Sequence, residues 1–344
     1  MNKEQFNNCK LDTLSQGFVP YYNPLLVPTS VYPEVFNKYG EPMQFFFISD
    51  CSFAHAPQQK NSRYIIWDRY NYGNKIHFYN REEIFRLVGK PVKRFAMLTE
   101  SRSIIPNVYD TILKHKDYIE KNFELLFTFD AHILNTISNS RFVAFPANVW
   151  YGVNWEGNML DGAQTGFSAD GNPKEEITIS HENYKRKTKN ISMVSSSKEF
   201  CPMHNLRKAL AFKCKKELLA DTFGTFDGGA FVQIEKYLEH YRYSIVIEND
   251  ITPYFFTEKI MNCFAAQTIP IYLGATEINK FFNADGIIQI SIEDCEHIEK
   301  ILRQCTVEEY ERRLPAVLDN FQRALKAMTQ TRCDDMYCNY IRDK

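Results

Sequence analysis

Short apolar runs set between polar, turn-rich segments organise this chain. In the first half, Met43–Ile48, Tyr64–Trp67, Arg94–Leu98 and Leu125–Phe129 are apolar over four to six residues and read as buried strands. Between them, Arg81–Leu87 and Asn107–Asn122 carry apolar residues at helical spacing. The second half repeats the alternation. Strands are expected at Ile191–Val194, Tyr243–Ile247, Thr268–Leu273 and Ile287–Ile290. Helices are expected at Leu206–Leu219, Thr257–Ala266, Glu277–Phe282 and Ile292–Leu302, followed by a long amphipathic stretch, Thr306–Met328. Strands alternating with helices predict an α/β fold with parallel sheets. A length of 344 residues is comfortable for two such domains.

Gly157–Asn190 breaks the pattern, being rich in Gly, Asn, Ser, Asp and Lys with little periodicity. It reads as a long loop running into a linker. The expected organisation is an N-terminal domain over 1–185 that includes the 157–190 loop, a C-terminal domain over 186–325, and a tail over 326–344.

Composition removes some classes of function. Hydrophobic residues make up 44% and charged residues 24%, which is ordinary for a globular protein. The net charge is −1, so no global field attracts nucleic acid. The basic run Lys185–Lys189 reads as a solvated linker. The nine cysteines form no CxxC pair and no Cys/His cluster with zinc spacing, so free thiols in a reducing cytoplasm and no metal site are expected. No signal-like apolar segment opens the chain, and no run approaches the ~20 apolar residues that span a bilayer. These features predict a cytoplasmic protein, with peripheral contact at the inner membrane face left open.

The chemistry concentrates in Tyr241–Ile290. A buried strand runs out at Glu248-Asn249, and after a short loop Thr257-Glu258-Lys259 opens a helix. Thr257 is placed to cap the helix, and Glu258 falls in the first turn, where the helix dipole favours a carboxylate. Lys259 beside that positive end makes an anion site. Ligands of open α/β sheets bind outside the carboxyl ends of strands, where Glu248 and Asn249 fall. The next strand ends at Gly274, which permits close backbone approach. Taken singly, these features are those of ordinary strand ends and helix caps. No G-x-G-x-x-G follows a strand, which argues against a dinucleotide-binding dehydrogenase.

In order and spacing, Ile247-Glu248-Asn249, Phe255-Phe256-Thr257-Glu258-Lys259 and Pro270-Ile271-Tyr272-Leu273-Gly274 resemble the donor-binding motif of glycosyltransferase family 10, the α1,3/4-fucosyltransferases. Phe255 stands where members commonly carry Tyr, so a hydroxyl contact is lost there and only stacking remains. Met193–Arg207, followed by Asp221-Thr222-Phe223-Gly224, is similar to the family's strand-Ser-Asn…Arg block, with Ser197 near the usual Asn and His204 ahead of Arg207. Leu98–Arg102 is similar to the segment that carries the family's proposed base, here Glu100.

The resemblance implies a GT-B fold, in which two Rossmann-like domains face a cleft, and inverting transfer of fucose from GDP-fucose to a glycan hydroxyl in α1,3 linkage. It implies Glu100 as base, and a donor site of Arg207, Asn249, Phe255, Glu258, Lys259, Glu248, His204 and Ser197. Arg207 and Lys259 would hold the diphosphate without a cofactor or divalent metal, in keeping with the lack of an Asp-x-Asp pair. Trp150 and Trp155 are the candidate acceptor contacts, with Trp67 and Tyr151 as further stacking faces. A GT-B enzyme using another nucleotide sugar, or a non-catalytic nucleotide- or glycan-binding relative, would share the same phosphate seat.

Overall fold

The computed structural model describes residues 45–49, 63–68, 75–80, 93–98, 100–123, 125–142, 149, 151–152 and 179–333. Trp150, Trp155, the expected helix Arg81–Leu87 and the loop core 157–178 lie outside the described residues, as does the side chain of Trp67. The chain divides into two compact units. One comprises Met1–Pro146, Trp155–Glu176 and Thr329–Lys344, and the other Ala147–Asn154 and Ile177–Met328.

The first unit holds strands β1 (Phe45–Ser49), β2 (Arg63–Asp68), β3 (Lys75–Asn80) and β4 (Lys93–Met97). Helices α1 (Pro106–Lys114) and α2 (Lys116–Asn122) follow, then β5 (Leu125–Thr128), α3 (Ala131–Thr136) and β6 (Ser140–Phe142). Its sheet runs β1-β4-β5-β6, with every pair parallel. The strand expected at Tyr64–Trp67 does not join it. It forms an antiparallel pair with β3, a strand the hydrophobic pattern did not predict. The single helix expected over Asn107–Asn122 breaks at His115, whose φ of −112° and ψ of 35° leave the helical region. Asp130 caps α3 by accepting the Ile133 N–H at 2.8 Å.

The second unit carries β7 (Lys189–Val194), α4 (Pro202–Lys216), β8 (Asp221–Phe223), α5 (Ile234–Leu238) and β9 (Tyr241–Ile247). It continues through α6 (Glu258–Ala265), β10 (Ile269–Leu273), β11 (Ile288–Gln289), α7 (Ile292–Glu296), α8 (Ile298–Leu302) and α9 (Val307–Cys333). The sheet order is β11-β10-β9-β7-β8, all parallel. From β7 the chain steps outward to β8, then returns to the other side of β7 to lay down β9. The carboxyl ends of β7 and β9 therefore flank the topological switch point, where doubly wound sheets bind ligands. The central strands are apolar on both faces, as a sheet covered on both sides requires. Tyr243, Ile245, Ile247, Ile269, Ile271 and Tyr272 are all buried.

In the basic run at 185–189, Lys187 alone is not the solvated residue its charge suggested. Lys187 is buried, and its Nζ donates to the Leu238 carbonyl and to Thr268 Oγ1, each at 2.9 Å. Burial drives its pKa down from the usual lysine value to about 7. An unfolded chain keeps this proton until near pH 10, so the group's contribution to stability rises as pH climbs from 7 toward 10. Lys187→Met should flatten that rise by up to ~1.4 kcal/mol per pH unit. Urea midpoints of both proteins at pH 7 and pH 9 check it, and parallel profiles would contradict the neutral-amine assignment.

Candidate functional site

Residues that the sequence placed in separate motifs meet at the switch point. After β9, Glu248 is wholly buried. Its Oε1 accepts the Thr257 N–H at 2.9 Å, and its Oε2 accepts Thr257 Oγ1 at 2.8 Å and Lys259 Nζ at 3.1 Å. Thr257 caps α6 as expected and also accepts Lys259 Nζ at 2.8 Å. Glu248 thus fixes the start of α6 and aims its lysine, and it has no surface with which to touch a ligand. The reason for Gly274 is also plain. A Cβ there would lie 2.6 Å from Glu248 Cγ and 2.4 Å from the Tyr272 hydroxyl.

Lys259 retains 26% side-chain exposure. Burial alone would lower its pKa, but the Glu248 and Glu258 carboxylates outweigh that and hold it above the usual lysine value. Two of its three N–H bonds go to Glu248 and Thr257, and Glu258 Oε1 stands at 3.5 Å. Neutralising Glu248 would leave the ammonium without its main counter-charge and would set a carboxamide N–H against at least one of the three donors that the carboxylate now accepts. Glu248→Gln should cost about 3 kcal/mol of folding stability in urea denaturation. A loss under about 0.5 kcal/mol would show that the buried pair does not organise this helix start.

From the other side of the switch point, α4 contributes His204 and Arg207, both buried. Arg207 Nη1 donates to the Ile247 carbonyl at 2.8 Å and to Asn249 Oδ1 at 3.3 Å. Among the described residues no carboxylate forms an ion pair with it. Burial lowers its pKa, yet an arginine stays charged. Arg207 and Lys259 are close enough to repel each other electrostatically. His204 Nε2 lies 3.0 Å from Asn249 Oδ1, and its Nδ1 accepts the Phe200 N–H at 3.1 Å. Burial and the Arg207 charge push its pKa down to about 4, so the ring is neutral at neutral pH. Cys201, within Met193–Arg207 but not among the expected site residues, donates its thiol to the Asn249 carbonyl at 3.4 Å.

Ser197 lies in the exposed loop after β7, tied through its N–H to Thr225 Oγ1 at 3.1 Å. Gly224 makes this loop possible: its φ is +102°, and a Cβ would fall 2.2 Å from the Ser195 carbonyl oxygen. Phe255 is 0% exposed, so the stacking face expected of it is turned into the core. Tyr151 is buried as well, its N–H bonded to Asn262 Oδ1 at 3.0 Å, and it offers no face for a sugar. In the first unit, Glu100 follows the carboxyl end of β4, and its carbonyl accepts the Tyr109 hydroxyl at 2.7 Å. Arg102 stacks over the Tyr109 ring at 4.5 Å and pairs with Asp130 at 3.1 Å, so the short motifs around residues 100, 109 and 130 do converge.

Residues 184–311 match the model of the C-terminal domain of glycosyltransferase family 10 (fucosyltransferase). All the donor-site residues named above lie within that span, and Glu100 lies outside it. No curated protein sequence matches the chain. Among solved structures, it is similar to an α1,3-fucosyltransferase with GDP, at 16% identity over 70% of this chain and 74% of that one, with a TM-score of 0.40. It is also similar to an α1,3-fucosyltransferase with GDP-fucose, at 17% identity over 71% and 75%, with a TM-score of 0.41. A third likeness, to an α1,3-fucosyltransferase, has 18% identity over 65% of each chain and a TM-score of 0.41.

Proposed function

We propose, from the match of residues 184–311 to the C-terminal domain of the family 10 fucosyltransferases, that this protein is an inverting transferase moving fucose from GDP-fucose to a glycan hydroxyl. The carrying observation is Arg207, a buried cation at the switch point that makes no ion pair with a carboxylate among the described residues, Glu248 and Glu258 acting on it only at longer range. A buried charge is costly unless it is paired, and a nucleotide diphosphate supplies the missing anion. The guanidinium presents a planar fork to phosphate oxygens, and Lys259 adds a point charge beside it.

As the glycosidic bond breaks, the sugar carbon gains oxocarbenium character and GDP gathers negative charge, which Arg207 and Lys259 stabilise where it develops. Two cations do the work a divalent metal does in other sugar transferases, so no metal is required. Glu258, 37% exposed at the lip of α6, suits the ribose hydroxyls. Glu100 is the base, and in the reacting complex it stands about 2.6–3.2 Å from the acceptor hydroxyl. The linkage is α1,3, and Trp150 and Trp155 contact the acceptor.

No helix among the described residues is long and apolar enough to cross a membrane. We place the protein in the cytoplasm, with contact to a membrane face confined to its surface. The test is incubation of purified protein with GDP-fucose on a glycan array, with and without EDTA. Fucose transfer insensitive to EDTA is expected. Transfer from another nucleotide sugar alone would replace the donor, and no GDP affinity at all would overturn the reading.

A further inference from the structure

The hydrogen bonds around Asn249 run in one direction. Arg207 can only donate, so the Asn249 atom 3.3 Å from its Nη1 is the amide oxygen. The same oxygen lies 3.0 Å from His204 Nε2, so Nε2 carries the ring proton. His204 Nδ1 faces the Phe200 N–H at 3.1 Å and must hold its lone pair there. These constraints agree on one species, the neutral imidazole protonated at Nε2. Two donors converge on Asn249 Oδ1, and among the described residues no acceptor takes the amide nitrogen of this half-buried side chain.

We propose that His204 is a positioning residue: it locks the Asn249 amide so that its N–H groups face an oxygen of the bound nucleotide sugar. The proposal rests on the donor site assigned above. Without the Nε2 donor, Arg207 alone would hold Oδ1, through one long bond, and the amide could turn its oxygen toward a ligand that is itself an acceptor. Oxygen against oxygen would repel. His204 therefore selects which end of Asn249 the donor meets, and its charge state matters because a second ring proton would oppose the Phe200 N–H.

Two substitutions separate this role from a purely structural one. A glutamine amide reaches the Nε2 position and can still donate to Asn249, but it abandons the Phe200 N–H. An asparagine oxygen reaches the Nδ1 position and can hold the Phe200 N–H, but it abandons Asn249. His204→Asn should raise the KM for GDP-fucose at least tenfold while changing kcat less than threefold. His204→Gln should regain most of that loss. The reverse order, with asparagine active and glutamine impaired, would assign the histidine to the helix start and overturn the proposal, as would full affinity in both variants. Histidine 15N spectra of the unliganded wild-type protein provide a check independent of folding in the variants and of donor identity. An Nε2-protonated ring is expected, and an Nδ1-protonated one would overturn the tautomer. Absence of GDP affinity in the wild type, with the expected tautomer present, would instead defeat the functional reading.

Discussion

Replacing Arg207 with alanine should lower the affinity for GDP by about two to three orders of magnitude, as expected when a preorganised charged donor is removed from a site that holds phosphate charge. The size follows from its surroundings. The guanidinium is buried, and its two internal acceptors, the Ile247 carbonyl and Asn249 Oδ1, are neutral. Glu248 and Glu258 act on it only at longer range and make no ion pair with it, so a phosphate in direct contact gains most of its charge in a poorly screened setting. Arg207→Lys keeps the charge without the planar fork and should recover only a small part of the loss. Calorimetric titration with GDP measures both variants, and melting curves confirm that each is folded. Unaltered affinity in Arg207→Ala would remove the phosphate seat.

Glu100→Gln is the second large effect. Turnover should fall about 10²- to 10⁴-fold, because the amide cannot take a proton from the acceptor hydroxyl. GDP affinity should stay within twofold, since the phosphates are held by another unit. The Tyr109 bond to the backbone carbonyl of residue 100 survives the substitution, and melting curves check that the variant is folded. A rate loss in a variant that melts like the wild type reports chemistry. Single-turnover transfer at saturating donor makes the measurement, and an undiminished rate would exclude Glu100 as base.

What the sequence disclosed was mostly local. The apolar runs at β5, β7, β9 and β10 and the Thr257 cap depend on residues within a few positions of one another, and they stand where the pattern put them. The motif resemblance carried Arg207, Asn249 and Lys259 to one site without saying how they touch. What stayed hidden depends on partners far along the chain. His204 meets Asn249 across 45 positions because β7 and β9 are neighbours. Lys187 is buried because Thr268, 81 positions away, and the Leu238 carbonyl receive its amine. Strand β8 is only three residues long, too short for any periodicity to register. The break at His297 splits an otherwise continuous helical pattern into α7 and α8, with the first half opened by the Ser291–Asp294 capping box. Phe255 was misread because a motif position fixes sequence order but not which way a ring turns, and here it fills the core.

The lone guanidinium beneath Asn249 also bears on the end of the catalytic cycle. On the proposed reaction the nucleotide carries one more negative charge once the sugar has left, and it faces the two cations Arg207 and Lys259 together with the carboxylates Glu248 and Glu258 that already pair with Lys259. With its extra charge against the two cations, the spent nucleotide would be held harder than the fresh one. Departure of GDP, more than bond breaking, would then set the pace of an enzyme built this way.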